Sequence, residues 1–271
     1  MKKQFKLGII GGGFMAYAIA KGAIESDFLR ANKIFVGDCN KDALQRFKDY
    51  GCFITTDNAQ VADNCEYLLL AVKPQQFAKV AEEIKNCSCK TIISIMAGVE
   101  KKNIKENMPY VKKICRAMPN LPCAIGSGMV AADISDFSSQ DDLQFLSGLF
   151  DALGMYRPIE EEKMHAVTGI SGSGPAYVFL FIKSLIDAGI KQGLSEDEAC
   201  VLAAQTVAGG VDMFIHEQEK NGIQIDELIR RVCSKGGTTE CAMRSFENDG
   251  FSEIVNKAVN ACVERSKELS K

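Results

Sequence analysis

The sequence predicts an α/β protein in which a doubly wound parallel sheet is followed by an all-helical region. Over about the first 160 residues, short apolar runs alternate with longer amphipathic stretches, a pattern typical of βαβ units. From Lys163 to Lys271 the pattern changes to helical periodicity with glycine punctuation and no convincing strand. We therefore expect two domains, residues 1–162 and residues 163–271.

Eight apolar runs are expected to form the strands of this sheet. They span residues 5–10, 33–37, 52–55, 67–72, 91–96, 112–117, 129–132 and 155–159. Runs this apolar favour burial on both faces, which helices provide when they cover both sides of a parallel sheet. The first two helices are expected over residues 14–26 and 40–50, with Asn40 as an N-cap.

Composition and charge exclude some classes of partner. Hydrophobic residues make up 46% of the chain and charged residues 25%, which is an ordinary globular mixture. A net charge of −3 does not provide the basic face that nucleic-acid binding requires. Since no apolar run reaches the length of a membrane span, we also expect no membrane partner.

The cysteines predict a reducing compartment. There are eleven, an odd number, with no CxxC pair, and the two histidines, His165 and His216, are not at metal-ligand spacing. Cys87 and Cys89 leave a zinc site open as the weaker alternative. We expect reduced thiols, no metal and a cytoplasmic location.

Residues 1–20 have two interpretations. Lys2, Lys3 and Lys6 precede an apolar stretch, as in a signal peptide. The alternative is a buried strand, a glycine turn and a helix. The three glycines at 11–13 would weaken the helix of a signal peptide by roughly 1 kcal/mol each, which favours the alternative.

A dinucleotide-binding turn is predicted where the first strand ends. Gly11, Gly13 and Ala16 fit the pattern G-x-G-x-x-[GA], directly after a strand and at the start of a helix. The free N–H groups of that helix, at Phe14 and Met15, would bind a pyrophosphate. This context predicts a Rossmann-like domain that binds NADP(H) or NAD(H).

Asp38, at the end of the second strand, bears on the choice of cofactor. An acid at this position usually bonds the ribose hydroxyls and disfavours a 2′-phosphate, which indicates NAD(H). The alternative is an Asp that caps a helix in an ordinary loop. Asn40 and Lys41 could still reach a phosphate, so the sequence leaves the choice open.

Further cofactor contacts are expected where other strands end, because ligands of open α/β sheets bind at this edge. The candidates are Val72, Lys73, Pro74, Ala97, Gly98 and Asn120. A surface lysine before a loop proline is the alternative for Lys73. For Arg116 an ion pair within the domain is favoured over ligand contact.

Two clusters of small residues stand in the helical region. In residues 168–177, Ser173 is expected to cap a helix that has Pro175 in its first turn. Residues 176–188 are apolar almost all round, which predicts burial in a subunit interface. Residues 233–240 offer successive N–H groups and hydroxyls for a carboxylate, with a plain helix start as the alternative.

Five segments together resemble pyrroline-5-carboxylate reductase. They are residues 11–20 (GGGFMAYAIA), 72–75 (VKPQ), 116–122 (RAMPNLP), 168–177 (TGISGSGPAY) and 234–239 (SKGGTT). The resemblance implies hydride transfer from NAD(P)H to the C=N bond of 1-pyrroline-5-carboxylate, which gives L-proline in the last step of proline biosynthesis. It also implies a helical dimerisation and substrate-binding domain in a homodimer or a larger homo-oligomer.

The resemblance assigns the substrate site to the turn at 234–239. It implies contacts to the substrate carboxylate from Ser234, Gly236, Gly237 and Thr238. It implies that Thr239 bonds the ring nitrogen, so Thr238 and Thr239 are the candidate catalytic residues. Because the imine can take its proton from water, the scarcity of histidine is no objection.

The chain departs from the family pattern at three positions. Lys235 stands where the family usually has proline, Leu121 replaces a common threonine, and Lys183 replaces a frequent glutamate. None of these changes removes a group that the chemistry needs. Lys235 makes the turn less rigid and adds a positive charge beside the carboxylate.

Two other functions remain as alternatives. One is a related imine or β-hydroxyacid reductase acting on another small carboxylate. Such dehydrogenases usually place a catalytic lysine after the domain boundary, and neither Lys163 nor Lys183 is a good match. The other is a non-catalytic nucleotide-binding scaffold, which the intact turn at 234–239 argues against.

Overall fold

The computed structural model describes residues 3–270, and these form two compact units. The first contains the described residues up to Pro175 together with those from Ala261 onward, and the second is Ala176–Asn260. Residues 163–175 thus pack with the sheet, although the sequence pattern changes at 162. The division of function at residue 162, with dinucleotide binding before it and dimerisation and substrate binding after it, stays a prediction.

The first unit is built on one sheet of eight strands. They are β1 (Phe5–Ile10), β2 (Ile34–Gly37), β3 (Phe53–Thr55), β4 (Cys65–Leu70), β5 (Thr91–Ser94), β6 (Lys113–Pro119), β7 (Gly128–Asp133) and β8 (Gly154–Pro158). Their order is β3-β2-β1-β4-β5-β6-β7-β8. Each of the eight predicted strands is confirmed to within two residues at either end.

One pair of neighbouring strands departs from the predicted parallel sheet. β6 and β7 are antiparallel, with Met118 opposite Ala131. Only a short 3-10 turn, Leu121–Ile125, joins them, and it ends at Gly126 with a φ of 71°. A parallel connection needs a crossover of a dozen residues or more, so this short link forces the chain to reverse.

Helices cover both faces of the sheet, which confirms the doubly wound architecture. In chain order they are α1 (Phe14–Glu25), α2 (Lys41–Asp49), α3 (Asn58–Asn64), α4 (Phe77–Glu83), α5 (Lys101–Asn107) and α6 (Gln140–Asp151). One hydrophobic cluster joins the sheet to α1, α2 and α6, and a second joins it to α3, α4 and α5. As predicted, Asn40 caps α2, because its Oδ1 accepts from the N–H of Asp42 at 2.9 Å.

A buried ionic network ties α5 to the antiparallel strand pair. The Nζ of Lys101 donates to Asp133 at 2.9 Å and to Asp136 at 2.7 Å. Although burial alone would lower the pKa of Lys101, its bonds to these carboxylates raise it. Arg116 donates to Glu161 at 3.0 Å, so the expected ion pair within the domain is confirmed.

The predicted helix start after Ser173 is confirmed, because a helix begins at Gly174 with Pro175 in its first turn, but the predicted side-chain cap is wrong: the Oγ of Ser173 lies 3.2 Å from the Sγ of Cys262. α7 (Met164–Val167), a π-helical stretch over Thr168–Gly172 and α8 (Gly174–Lys191) form one continuous run. The N–H of Ser173 donates to the carbonyl of Thr168, five residues back. Pro175 has no N–H to donate and would disrupt a regular α-helix here, so the wider π turn accommodates it.

The remaining helices are α9 (Glu196–Asn221), α10 (Ile225–Val232), α11 (Thr238–Asn248) and α12 (Phe251–Glu268). Ser195 and Glu198 form a capping box at the start of α9. Apolar side chains of α8 are exposed in the single chain, including Phe179 at 54% and Leu180 at 65%.

Two helical runs, residues 161–191 and Glu196–Asn221, are long and apolar enough to cross a membrane by length and composition alone. The expectation that no apolar run reaches the length of a membrane span is therefore not met by these helices. Helices buried in the core of a soluble protein meet the same criterion, so this is weak evidence for a span.

Candidate functional site

The glycine turn after β1 is shaped by a close backbone approach. Gly11 has a φ of 101°, and a Cβ there would lie 2.7 Å from the carbonyl oxygen of Ala71. Only glycine fits such a position. Ala16, one turn into α1, is buried, as expected for close packing of helix on strand. The interpretation of residues 1–20 as strand, turn and helix is confirmed for the described residues from 5 onward.

The start of α1 is open to an anion. Gly13 is the N-cap and has no side chain to bond the first N–H groups, and the first turn holds no acidic residue. A Cβ at Gly13 would meet nothing within 4 Å. Phe14, next along the chain, is exposed. Free N–H groups and the helix dipole therefore face open space, which fits a pyrophosphate.

Asp38 braces the glycine turn. Its Oδ2 accepts from the N–H of Gly12 at 2.6 Å, and its Oδ1 accepts from the N–H of Asn40 at 2.8 Å. Asn40 rather than Asp38 is the N-cap of α2. Asp38 is therefore not a helix cap, and its carboxylate is fixed beside the turn that would hold a dinucleotide.

A cleft of about 440 Å³ opens at the carboxyl ends of β1, β2 and β4. Its lining combines the predicted Gly11, Asp38 and Val72 with residues that sequence reasoning missed: Cys39, Asn58, Gln76, Lys79 and Glu83. Cys39 follows Asp38 in the loop after β2, and the other missed residues lie on helices α3 and α4 or just before α4, where helical spacing alone does not distinguish a cleft wall from ordinary surface. The position of the cleft fits the adenosine half of a dinucleotide.

The other residues predicted to contact the cofactor at this edge of the sheet differ in exposure and in hydrogen bonding. Lys73 is exposed and precedes the 3-10 turn Pro74–Gln76. Ala97 is exposed, whereas Gly98 has a φ of 78° and would place a Cβ 3.1 Å from Leu269. The Oδ1 of Asn120 accepts from the N–H of Met129 at 2.8 Å, which pins the loop before β7.

The predicted substrate turn lies on the second unit, just before α11. The N–H of Gly237 donates to the carbonyl of Ser234 at 2.9 Å, which closes the turn. Gly236 has a φ of 72°, and its N–H donates to Glu240 at 2.7 Å. Glu240 was not among the predicted site residues. A Glu just inside the following helix is a signal that could have identified it.

The two threonines begin α11. Gly237 is the N-cap and supplies no side-chain bond, so the first N–H groups of the helix are open. Thr238 is exposed and Thr239 is half-buried. Thr239 also lies on the wall of an apolar cavity of about 840 Å³, whose lining includes Cys233 and Met243.

The three departures from the family pattern are accommodated on the surface. Lys183 pairs with Asp187, one turn along α8. Lys235 is exposed within the turn, and Leu121 is exposed in the loop after β6.

The thiols of Cys87 and Cys89 both donate hydrogen bonds to backbone carbonyls. The Sγ of Cys87 donates to the carbonyl of Ala59 at 3.7 Å, and the Sγ of Cys89 to that of Glu66 at 3.5 Å. Among residues 3–270, no group of three or more His, Cys, Asp or Glu side chains could hold a metal ion.

Two family models match the chain. The model for pyrroline-5-carboxylate reductase dimerisation matches residues 161–269, and the model for NADP oxidoreductase, coenzyme F420-dependent, matches residues 6–98. The first covers the helical region, including the turn at 234–239. The second covers the glycine turn, Asp38 and the cleft.

Curated relatives match the chain over nearly its whole length. A pyrroline-5-carboxylate reductase of Synechocystis sp. is 40% identical over 99% of this chain and 99% of its own. Among solved structures, the pyrroline carboxylate reductase of Plasmodium falciparum with NADP bound covers all of both chains, with a TM-score of 0.88 and 32% identity. That of Coxiella burnetii covers 99% of both chains, with a TM-score of 0.87 and 33% identity. The chain therefore belongs to the pyrroline-5-carboxylate reductase family and is an NAD(P)H-dependent oxidoreductase.

Proposed function

We propose that this protein reduces the C=N bond of 1-pyrroline-5-carboxylate to give L-proline, with NADH or NADPH as the reductant. The observation that carries the proposal is the turn at 234–239, which sets hydroxyls and open helix N–H groups at the start of α11. Such a turn suits a small carboxylate. The proposal is further supported by full-length relatives of this activity.

The first unit supplies the residues for the reductant. The N–H groups of Gly13, Phe14 and Met15 bind the pyrophosphate, whereas Gly11, whose N–H donates to the carbonyl of Gly37 at 2.9 Å, shapes the turn. Asp38 and Val72 contact the adenosine half. The residues towards the nicotinamide are Lys73, Pro74, Ala97, Gly98 and Asn120. When bound, the cofactor supplies a hydride from nicotinamide C4.

The turn at 234–239 holds and orients the substrate. The N–H groups of Gly236 and Gly237 already donate within the turn, so these residues shape it. Ser234 and Thr238 offer hydroxyls to the carboxylate, and the N–H of Thr238 belongs to the open first turn of α11. The hydroxyl of Thr239 bonds the ring nitrogen. Orientation of the imine carbon accounts for the acceleration, and the imine takes its proton from water.

The proposed assembly is a homodimer or a larger homo-oligomer built of dimers. Its support is the match to a dimerisation model over residues 161–269 and the exposed apolar side chains of α8. A second copy, rather than a lipid bilayer, covers these side chains in the proposal. We accordingly place the protein in the cytoplasm.

An assay of the purified chain with 1-pyrroline-5-carboxylate and each reduced cofactor tests the proposal. We expect loss of reduced-nicotinamide absorbance with matching formation of proline. Oxidation of neither cofactor would contradict the proposal. Binding of cofactor without reduction of the substrate would favour a nucleotide-binding scaffold instead.

A further inference from the structure

Gly12, at the centre of the glycine turn, is held by side chains on both of its polar groups. Its N–H donates to Asp38 at 2.6 Å, and its carbonyl accepts from the guanidinium Nη2 of Arg46 on α2. Arg46 is not among the site residues predicted from the sequence. We propose that Arg46 is a positioning residue, which orients the Gly12–Gly13 peptide so that it presents its N–H to the cofactor pyrophosphate.

Peptide geometry fixes the direction of the Gly13 N–H. The bond between Gly12 and Gly13 is trans and planar, so its carbonyl and its N–H point in opposite directions. Because Arg46 holds the carbonyl of Gly12 on one side, the N–H of Gly13 is directed to the other. That N–H has no hydrogen-bond partner among residues 3–270, and Gly13 is exposed. It is therefore available to an anion at the start of α1.

Arg46 is itself fixed by stacking. Its guanidinium carbon lies 4.8 Å from the ring centroid of Tyr17 and 5.5 Å from that of Phe47. Tyr17 is in turn packed edge-on against Phe47 at 5.4 Å. The planar guanidinium can stack and donate at the same time, which a lysine ammonium on a flexible stem cannot do.

The pairing of Arg46 is unusual for a residue that only stabilises the fold. Its buried Nε has no hydrogen-bond partner, and no ion pair to a carboxylate is found among the described residues. Leaving a buried donor unpaired is unfavourable. A residue placed for stability alone would be expected to pair with an acid, whereas this one gives its hydrogen bond to the turn carbonyl.

Binding measurements on the full-length protein test the role of Arg46. NADH, ADP-ribose and adenosine would each be titrated by calorimetry or by saturation-transfer NMR into the wild type, Arg46→Met and Arg46→Lys. Lys48→Met is the matched control, since Lys48 is an exposed cation on the same helix. We expect Arg46→Met to weaken NADH and ADP-ribose binding about tenfold, the effect of one lost hydrogen bond to a charged group, and adenosine by less than about twofold. Lys48→Met should bind all three as the wild type does.

Arg46→Lys separates positioning from charge and also serves if Arg46→Met does not fold. Positioning requires that Arg46→Lys loses ADP-ribose affinity nearly as Arg46→Met does, with kcat at saturating cofactor within about twofold of the wild type. Wild-type affinity in Arg46→Lys would overturn the proposal, because charge alone would then suffice. An equal loss for adenosine and ADP-ribose would also overturn it. The inference rests on the proposed cofactor class, but a wild type that binds NADH and reduces no imine would leave it standing.

Discussion

The two compact units differ in where their apolar residues lie. The first unit buries two hydrophobic clusters against the two faces of its sheet. In the second, α10 and α11 bury no residue, and α9 buries only Ala199 and Ala203. The side chains of Val201, Leu202, Val211 and Met213 on α9 are instead more than half exposed.

This difference separates two kinds of stability. The first unit is stabilised by contacts among its own residues, including the ionic network of Lys101, Asp133 and Asp136. The second exposes large apolar side chains on α8 and α9, which is typical of a surface that binds another protein molecule. Substitutions in the first unit should therefore change the free energy of unfolding, and substitutions in the second should change self-association.

The largest effect is expected from Lys101→Met in the first unit. The substitution leaves the buried carboxylates of Asp133 and Asp136 without their shared cation. We expect the free energy of unfolding of the first unit, measured by urea denaturation, to fall by about 3–5 kcal/mol. Lys105→Met is the control, since Lys105 is about half exposed and lies 3.5 Å from Asp136. Equal losses in the two variants would show that the network does not stabilise the first unit.

The same network predicts the direction of pH dependence. Burial alone would raise the pKa of Asp133, but hydrogen bonds from Ser135 and Lys101 hold it below its ordinary value, and the pKa of Asp136 is lowered in the same way. The stabilisation is therefore complete above the ordinary carboxylate pKa of about 4 and is lost as the pH falls through the lowered values. We expect Lys101→Met to move the midpoint of acid unfolding to higher pH, and an unchanged midpoint would contradict this.

In the second unit, Leu180→Asp should break self-association. Leu180 is 65% exposed on α8, so an aspartate costs little in the isolated chain. In an apolar interface the unpaired carboxylate is unfavourable, and we expect the association constant to fall by more than about 100-fold. Sedimentation velocity measures the change, with Lys191→Asp on the same helix as the control. An unchanged oligomer would mean that α8 does not lie in the interface.

The chemistry of the second unit is tested by Thr239→Ala. Thr239 and Cys233 lie on the wall of the same cavity, so Cys233→Ala is a matched truncation. We expect Thr239→Ala to lower kcat about tenfold or more, because a hydrogen bond to the ring nitrogen is lost, and Cys233→Ala to leave it nearly unchanged. Equal kcat values for the two variants would remove the threonine hydroxyl from the mechanism.

Most of the first unit could be predicted from the sequence because its signals are local. Strand burial, the turn at Gly11 and the cap at Asn40 each depend on a few neighbouring residues. The antiparallel pairing of β6 and β7 was not predicted, although the link between the two predicted strands, residues 118–128, is already too short for a parallel crossover. The helix start after Ser173 was predictable from Pro175, but the π stretch before it and the contact of the Ser173 hydroxyl with Cys262, 89 residues along the chain, were not, because no local pattern encodes them.

Site residues that act through their backbone could be predicted from the sequence. Site residues whose side chains reach the site from a neighbouring helix could not. The glycine turn and residues 234–239 follow from sequence spacing. Arg46 and Glu83 contribute through tertiary contacts that no local pattern encodes. Resemblance to the family pointed to the substrate turn, but it did not indicate that Glu240 would bond Gly236.

The smallest expected effect concerns the choice of cofactor within the first unit. Asp38 and Glu83 both line the adenosine cleft, and the one lysine among its lining residues, Lys79, lies 3.9 Å from Glu83. A 2′-phosphate would meet the Asp38 carboxylate, which two backbone N–H groups hold in place. We expect Asp38→Asn to raise kcat/KM for NADPH relative to NADH about tenfold, because it removes the like charge and keeps an acceptor for the turn. Asp42→Asn, outside the cleft on α2, should leave the ratio unchanged. If both variants keep the wild-type ratio, Asp38 braces the glycine turn without selecting between the cofactors.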